Sequence, residues 1–452
     1  MKKYRLLFIL AALVTGIALF YAWTDWSGAR HLKAALSMLE AKHESIRFED
    51  FIPAPIPDER NVAAAPIFKE YFDPVWRHKK NGSRLEKLKE PWRTTPHSEI
   101  PGNFLLVARQ IDPSFHGDET AACKIILSAL TPAAPLLTEI REALARPDVV
   151  WPLDYSVPLY KIPVPQITFL SRIARIFRAR ASVELAMGDF EKAFEDTQTL
   201  LALARISKEP HFLICEDVEI RILNMASDVI LQALNHAAWN DAQLAAISTE
   251  LAKTQLLRQY AEAIRTHMIS LLQIDLSNPE IFGGGTICRL RPNGWGSEDK
   301  ALSLVTMQQM IDALGNGEKL SSTEWKNIKK RKNISAWELF SKNTASYSLG
   351  ISAETGTVLT VCYGQTILNS LSSACAVERY RLANHQLPSS LDELAPSFLP
   401  SVPKDPMTGD PLHYKTSPDG SFVIYGLGWS RKDGGGPKVY GCNWGIIVKP
   451  SK

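Results

Sequence analysis

The sequence predicts a mainly α chain: one N-terminal membrane-spanning helix, a body built on a helical hairpin, and a small α+β domain at the carboxyl end. Three observations carry this. Leu6–Trp23 is an uncharged, proline-free apolar run. Through most of the middle of the chain, apolar residues recur at the three- and four-residue spacing of a helix face. After residue 384 the helical rhythm gives way to prolines, glycines and period-two alternation.

At 452 residues the chain exceeds one ordinary domain. Its composition, 45% hydrophobic and 22% charged, is that of a globular protein. A formal net charge of +3 over this length gives no electrostatic case for a nucleic-acid partner, and no nucleic-acid-binding motif is present. The pattern divides into a tail (1–5), an anchor (6–23), a membrane-proximal helix, strap and loop (24–119), a helical body (120–345) and a carboxyl domain (346–452).

The anchor rests on length. At about 1.5 Å rise per residue, about 18 residues span about 27 Å, close to the thickness of a bilayer core. Lys2, Lys3 and Arg5 precede the run, and Tyr21, Trp23 and Trp26 stand at its far end as interfacial anchors. The positive-inside rule then keeps residues 1–5 in the cytoplasm and places the bulk outside it, with the lipid bilayer as partner of Leu6 through Trp23. A cleaved signal peptide is the rival reading; the length of the run and the lack of a small-x-small site argue against it. No later run matches it, so a single span is expected.

Leu32, Ala35, Leu36 and Leu39 then mark an amphipathic helix. Pro53, Pro55 and Pro57 force an extended strap, and residues 73–101 read as a mobile polar loop. From Thr120 helices dominate, interrupted by a second strap at Pro152, Pro158, Pro163 and Pro165. A hairpin follows. Leu170, Ile173, Ala174, Phe177, Ala181 and Leu185 form one stripe, Gly188 stops the helix and Asp189 caps the next, which carries Phe190, Ala193, Phe194, Leu200, Leu201 and Ala204. The pair resembles a tetratricopeptide unit at Ala181, Gly188, Phe190 and Ala193 and departs from it at Thr197 and Leu200; no second copy recurs. Further helices run to Leu314, Gly283–Gly285 marks a flexible turn, and Ser335 with Glu338 makes a capping box.

Residues 346–384 are helix-compatible despite Gly350, Gly356 and Gly364. Pro388 is expected to close that helix, and Ser390 with Glu393 to cap the turn that follows. Pro406 and Gly409 set a turn, Asp419-Gly420 a hairpin, and "FVIYGLG" and "KVYGCNWGIIVK" read as strands. The order "ERYRLANHQLP", "SSLDEL", "VPKDPMTGDPLHY", "DGSFVIYGLG" resembles the globular part of type II secretion pseudopilins, over about residues 360–436. It departs from them in sitting at the end of a large chain and in lacking a prepilin-peptidase site. Its terminal loop also offers one acid, Asp433, where calcium-holding pseudopilins have several, too few oxygen ligands for calcium. Taken whole, anchor, "PAPIPDERNVAAAPIF", "WPLDYSVPLYKIPVPQ", hairpin and tail resemble a family of membrane-anchored bacterial envelope proteins. That likeness implies a single-pass protein of the inner membrane with its carboxyl-terminal bulk in the periplasm, and carries no activity.

No esterase elbow, zinc-protease pair, phosphate loop or dinucleotide fingerprint is present, so no cofactor and no catalytic residue are assigned. "HGDE" (His116–Glu119) has too few ligands for a metal and reads as a helix cap. Arg172, Arg175, Arg178 and Arg180 crowd one helix; they would grip an anionic partner, or else form a solvated face paired with Glu184 and Glu191. The basic stretch Trp325–Asn333 reads as an exposed loop. Six scattered cysteines form no CxxC pair and read as buried thiols. The expected role is a tethered extracytoplasmic interaction or scaffold protein with unknown protein partners, beside a secretion or pilus-like system by analogy. The alternative is an envelope hydrolase whose site gathers His116, His211, His236 or His267 with acids.

Overall fold

Helix α1 (Lys2–Ala41) runs 40 residues without a break, about 60 Å, so the expected anchor and the amphipathic helix after it are one element. The computed structural model describes residues 2–73, 83–88, 90, 103–275, 292–315, 317–322, 345–437 and 443–449. The apolar half of α1 touches almost nothing: Leu6 is 72% exposed and Leu13 60%. It is long and apolar enough to cross a membrane. The second half turns Ala35 and Leu39 into the core.

Helix α12 (Asn293–Leu314) lies along that second half. The crossing is backbone against backbone. A Cβ on Gly28 would sit 2.1 Å from the Gly294 carbonyl oxygen, and one on Gly294 would sit 2.0 Å from that of Thr24. Only glycine fits on either side. Gly294 N–H donates to Asp25 Oδ1 (2.6 Å), and Lys42 pairs with Asp312 (2.7 Å) farther along.

The two proline straps meet. Val62 N donates to the Asp148 carbonyl (2.9 Å) and Asp148 N to that of Arg60 (3.1 Å). Prolines leave such segments short of donors, and Asn61 compensates. Its Oδ1 accepts from Ala63 N and Val150 N (both 3.0 Å), while Nδ2 donates to the Val150 carbonyl (3.2 Å). Phe48 and Phe51 pack with Leu159, Ile162 and Ile269 in a small satellite core. Beside the strap, α2 (Pro66–Phe72) sets Phe68 edge-to-face on Trp151 and stacked on Phe169. The expected polar loop 73–101 is corrected in part: α3 (Arg84–Lys87) is a helical turn, with Leu85 inside it and Leu88 just after it in the core. Residues 74–82, 89 and 91–101 lie outside the described residues.

Helices α4 (Phe104–Ile111), α5 (Glu119–Leu130) and α6 (Ala134–Leu144) follow. Together α5 and α6 are apolar enough to span by composition, yet Cys123, Ile126, Leu137 and Ile140 are core residues. The hairpin is as expected. In α7 (Gln166–Ala186) the whole predicted stripe is buried, Gly188 takes φ +79°, and Asp189 caps α8 (Phe190–Ser207). Next come α9 (Leu213–Asn235), α10 (Asp241–Ala252) and α11 (Leu256–Gln273).

Helix α13 (Ala345–Asn384) is the long carboxyl-terminal helix. It packs on α9, α10 and α11 on one side and on the sheet on the other. One hydrophobic core therefore runs from Ala35 to Val448, across the boundary expected at 346. Its close is corrected. His385, in the left-handed region (φ 57°), ends the helix before Pro388 is reached. The capping pair is shifted by one: Ser390 makes no side-chain cap, and Ser389 Oγ donates to Glu393 instead. Strands β1 (His413–Thr416), β2 (Phe422–Gly426) and β3 (Trp444–Val448) form an antiparallel sheet in the order β1-β2-β3. His413 is paired with Tyr425, and Phe422 with Val448. Buried Asp405 organises the turn before β1, accepting from Met407 N (2.8 Å) and Leu427 N (2.7 Å). Gly283–Gly285, Trp325–Asn333, the Ser335/Glu338 pair, Cys288 and Cys442 lie outside the described residues.

Candidate functional site

The four arginines of α7 are engaged inside the chain. Arg172 donates to the carbonyls of Leu85 and Leu88 (3.3 and 3.5 Å). Arg175 holds Glu90 through two hydrogen bonds (2.6 and 2.8 Å). Arg178, itself buried, reaches Asp228 (2.5 Å). Arg180 grips Asp196 through Nε (2.6 Å) and Nη2 (2.5 Å), with Arg141 on the same carboxylate (2.6 Å). Of the expected acidic partners, Glu184 is 3.7 Å from Arg180, whereas Glu191 accepts from Gln243. Burial, then the charge of Asp196, pushes Glu184 up to about 8. These guanidiniums tie the segment around α3, α8 and α9 to α7.

Asp433 accepts from Tyr425 Oη (2.9 Å) and Gly435 N (2.8 Å), so it shapes the terminal loop. Asp118 caps α5 through Ala121 N (2.8 Å). Among the described residues no group of three or more His, Cys, Asp or Glu could hold a metal. Cys123, Cys215, Cys362 and Cys375 are buried free thiols.

The four histidines are not gathered. His116 is exposed ahead of α5, and His267 lies half-buried on α11. His211 and His236 flank opposite ends of α9, about 35 Å apart. His211 sits between two acids. Its Nδ1 is 2.8 Å from Glu216 Oε1, and its Nε2 is 3.5 Å from Glu209. Glu216 and Glu219, one turn apart on α9, are 1% and 2% exposed. The Gln259 amide links them to the surface, its nitrogen donating to Glu219 (3.2 Å) and its oxygen accepting from Lys208 Nζ (3.0 Å).

The electrostatics follow from burial. Desolvation, then the charge of Glu216, raises Glu219 well above the usual carboxyl range. For His211, burial alone would lower the pKa; the hydrogen bond to Glu216 and the charge of Glu209 outweigh it and raise it. A relay Lys208–Gln259–Glu219–Glu216–His211 results. It lies beside a cleft of about 320 Å³ lined by Lys208, His211, Lys253, Gln255, Arg258, Gln259 and Glu262. Chemically this offers proton donors and cations at one surface.

Sequence reasoning named His211 but missed Glu216 and Glu219. The stretch "LICEDVEIRILNMASDVI" carries five charged residues, so nothing in it singles out these two acids as buried. Comparison of the chain with family models, curated proteins and solved structures returned no match, so the likenesses seen in the sequence rest on its residues alone.

Proposed function

We propose that the chain is a membrane-tethered interaction protein of the bacterial envelope, held by the first half of α1 with its helical body in the periplasm. One observation carries this reading: the helix that leaves the bilayer is the same helix that enters the core. Among the described residues Leu6–Leu19 finds almost no cover, Phe20 meets Trp295 edge-to-face, and two turns on Gly28 is locked against Gly294. Such a junction holds the body at a fixed height and orientation, which suits a docking platform better than a freely diffusing enzyme. The likeness of the α7–α8 hairpin to a tetratricopeptide unit, and of α13 with the sheet to pseudopilins, supports protein partners, with a secretion or pilus-like system as the setting by analogy. The test is proteolysis of intact spheroplasts: external protease should degrade the body, and full protection would contradict the orientation. Co-purified envelope proteins should be lost when the exposed Trp429 and Ile447 of the carboxyl domain are changed to Ala and Lys, and unchanged partners would argue against docking there.

A second reading, an envelope hydrolase, is favoured by the His211–Glu216–Glu219 cluster, since a buried carboxyl beside an imidazole is suited to general acid–base work. Ester turnover by the purified chain that disappears in Glu219→Gln would support it; turnover unchanged in that variant would remove it.

A further inference from the structure

The cleft beside His211 has a chemistry that neither reading requires. Four cationic side chains line it, and they are not equivalent. Lys253 is paired with Glu250 (2.5 Å). Lys208 and Arg258 have no carboxylate partner within ion-pair distance among the described residues; Lys208 makes only the neutral contact to Gln259 (3.0 Å). The acid on the wall, Glu262, is taken by Arg265 (3.1 Å). His211 adds a fourth donor, oriented by Glu216.

The cleft also faces the first turn of α11, because Gln255, Arg258 and Gln259 line it. That helix has 18 residues, and its amino end carries the positive end of the helix dipole. Several arginines of this fold are matched to acids, Arg141 and Arg180 to Asp196, Arg175 to Glu90 and Arg265 to Glu44, and others, Arg172 and Arg205 among them, are taken up by backbone carbonyls. Arg258 has neither kind of partner among the described residues, and it converges with Lys208, an imidazole and a helix amino terminus on one concave surface, where a bound negative group would find its donors.

We infer that this cleft binds a small oxyanion, a phosphate or carboxylate group, through Lys208, Arg258 and His211. The guanidinium supplies paired N–H donors, the ammonium a point charge, and the imidazole one directed donor. At about 320 Å³ the space suits a small metabolite or the end of a peptide chain rather than a folded partner. The inference is independent of the membrane tether.

The test uses the full chain in an uncharged detergent, titrated calorimetrically with inorganic phosphate and, separately, with succinate at constant ionic strength. One saturable site is expected for at least one of them; phosphate alone marks a tetrahedral anion, succinate alone a carboxylate. Lys208→Gln and Arg258→Gln should each weaken binding about tenfold, the scale of one charge-assisted contact. Lys253→Gln should leave it within about twofold, since its charge is already matched. Absence of saturable binding to either anion at tens of millimolar would overturn the inference. So would an equal loss in Lys253→Gln, which would indicate diffuse attraction, or unchanged affinity in the first two variants when circular dichroism shows all of them folded.

Discussion

Helices α1 and α13 are each 40 residues long, and their surroundings are opposite. The middle of α13 is well covered: Leu371 and Cys375 are fully buried, and Val358 nearly so. Several of its polar residues are accommodated too. Thr366 and Ser373 donate to the carbonyls one turn back (2.9 and 2.8 Å), Ser372 meets Ser248 of α10 (2.9 Å), and Gln365 accepts from the first N–H of α11 (2.8 Å). The amino-terminal half of α1 has larger apolar side chains and, among the described residues, almost no protein cover. The comparison teaches that apolar composition does not itself place a helix in a core. A core helix can be rich in Ser, Thr and Gly when its neighbours satisfy them, and a helix of Leu, Ile and Phe left uncovered needs a different solvent.

Five substitutions, in four predictions, break or sharpen this contrast. The largest effect belongs to Leu371→Ala, which should cost about 2–5 kcal/mol in detergent unfolding, whereas Leu10→Ala in α1 should stay within about 0.5 kcal/mol. Equal losses would mean that α1 packs on the protein. Next, Gly294→Ala should cost about 1–3 kcal/mol and expose the α1–α12 junction to limited proteolysis, because the added methyl meets backbone that cannot move aside. The third concerns pH. Glu378 on α13 is 3% exposed, and burial raises its carboxyl even though Arg381 opposes the shift. The folded state therefore holds this proton more tightly than the unfolded chain. Its stabilisation is complete below the ordinary carboxyl value of 4.5 and is lost as pH rises through the raised one. Glu378→Gln should flatten that decline in chemical denaturation across the same window, and an unchanged slope would locate the titration elsewhere. The smallest effect is expected for Asp25→Ala, which removes one hydrogen bond at the crossing and should cost about 0.5–1.5 kcal/mol.

Much of this was legible in the sequence, and the misses have physical causes. The stripe from Leu170 to Leu185, the Gly188–Asp189 break and the strand alternation around Asp419-Gly420 are local signals, and local chemistry decides them. The merging of anchor and amphipathic helix was not legible, because Gly28 looks like a helix-weakening residue until Gly294 is brought against it. The arginines of α7 were read as a surface because spacing gives a face of a helix but not what covers it; residues as distant as Leu85, Glu90 and Asp228 do. His385 ended α13 before Pro388 could, since a left-handed residue satisfies the same stop signal without proline. Glu216 and Glu219 were passed over because single acids usually mark solvent, and only tertiary packing puts them inside.

The central claim, one helix shared between lipid and protein, is tested most directly by spin labels placed singly at positions 10, 13, 17, 35 and 39 of the chain in liposomes. The account predicts that labels at 10, 13 and 17 collide with lipid-soluble oxygen and not with an aqueous nickel chelate, and that labels at 35 and 39 are immobilised and reached by neither. Ready access of the nickel chelate to positions 10, 13 and 17 would contradict it.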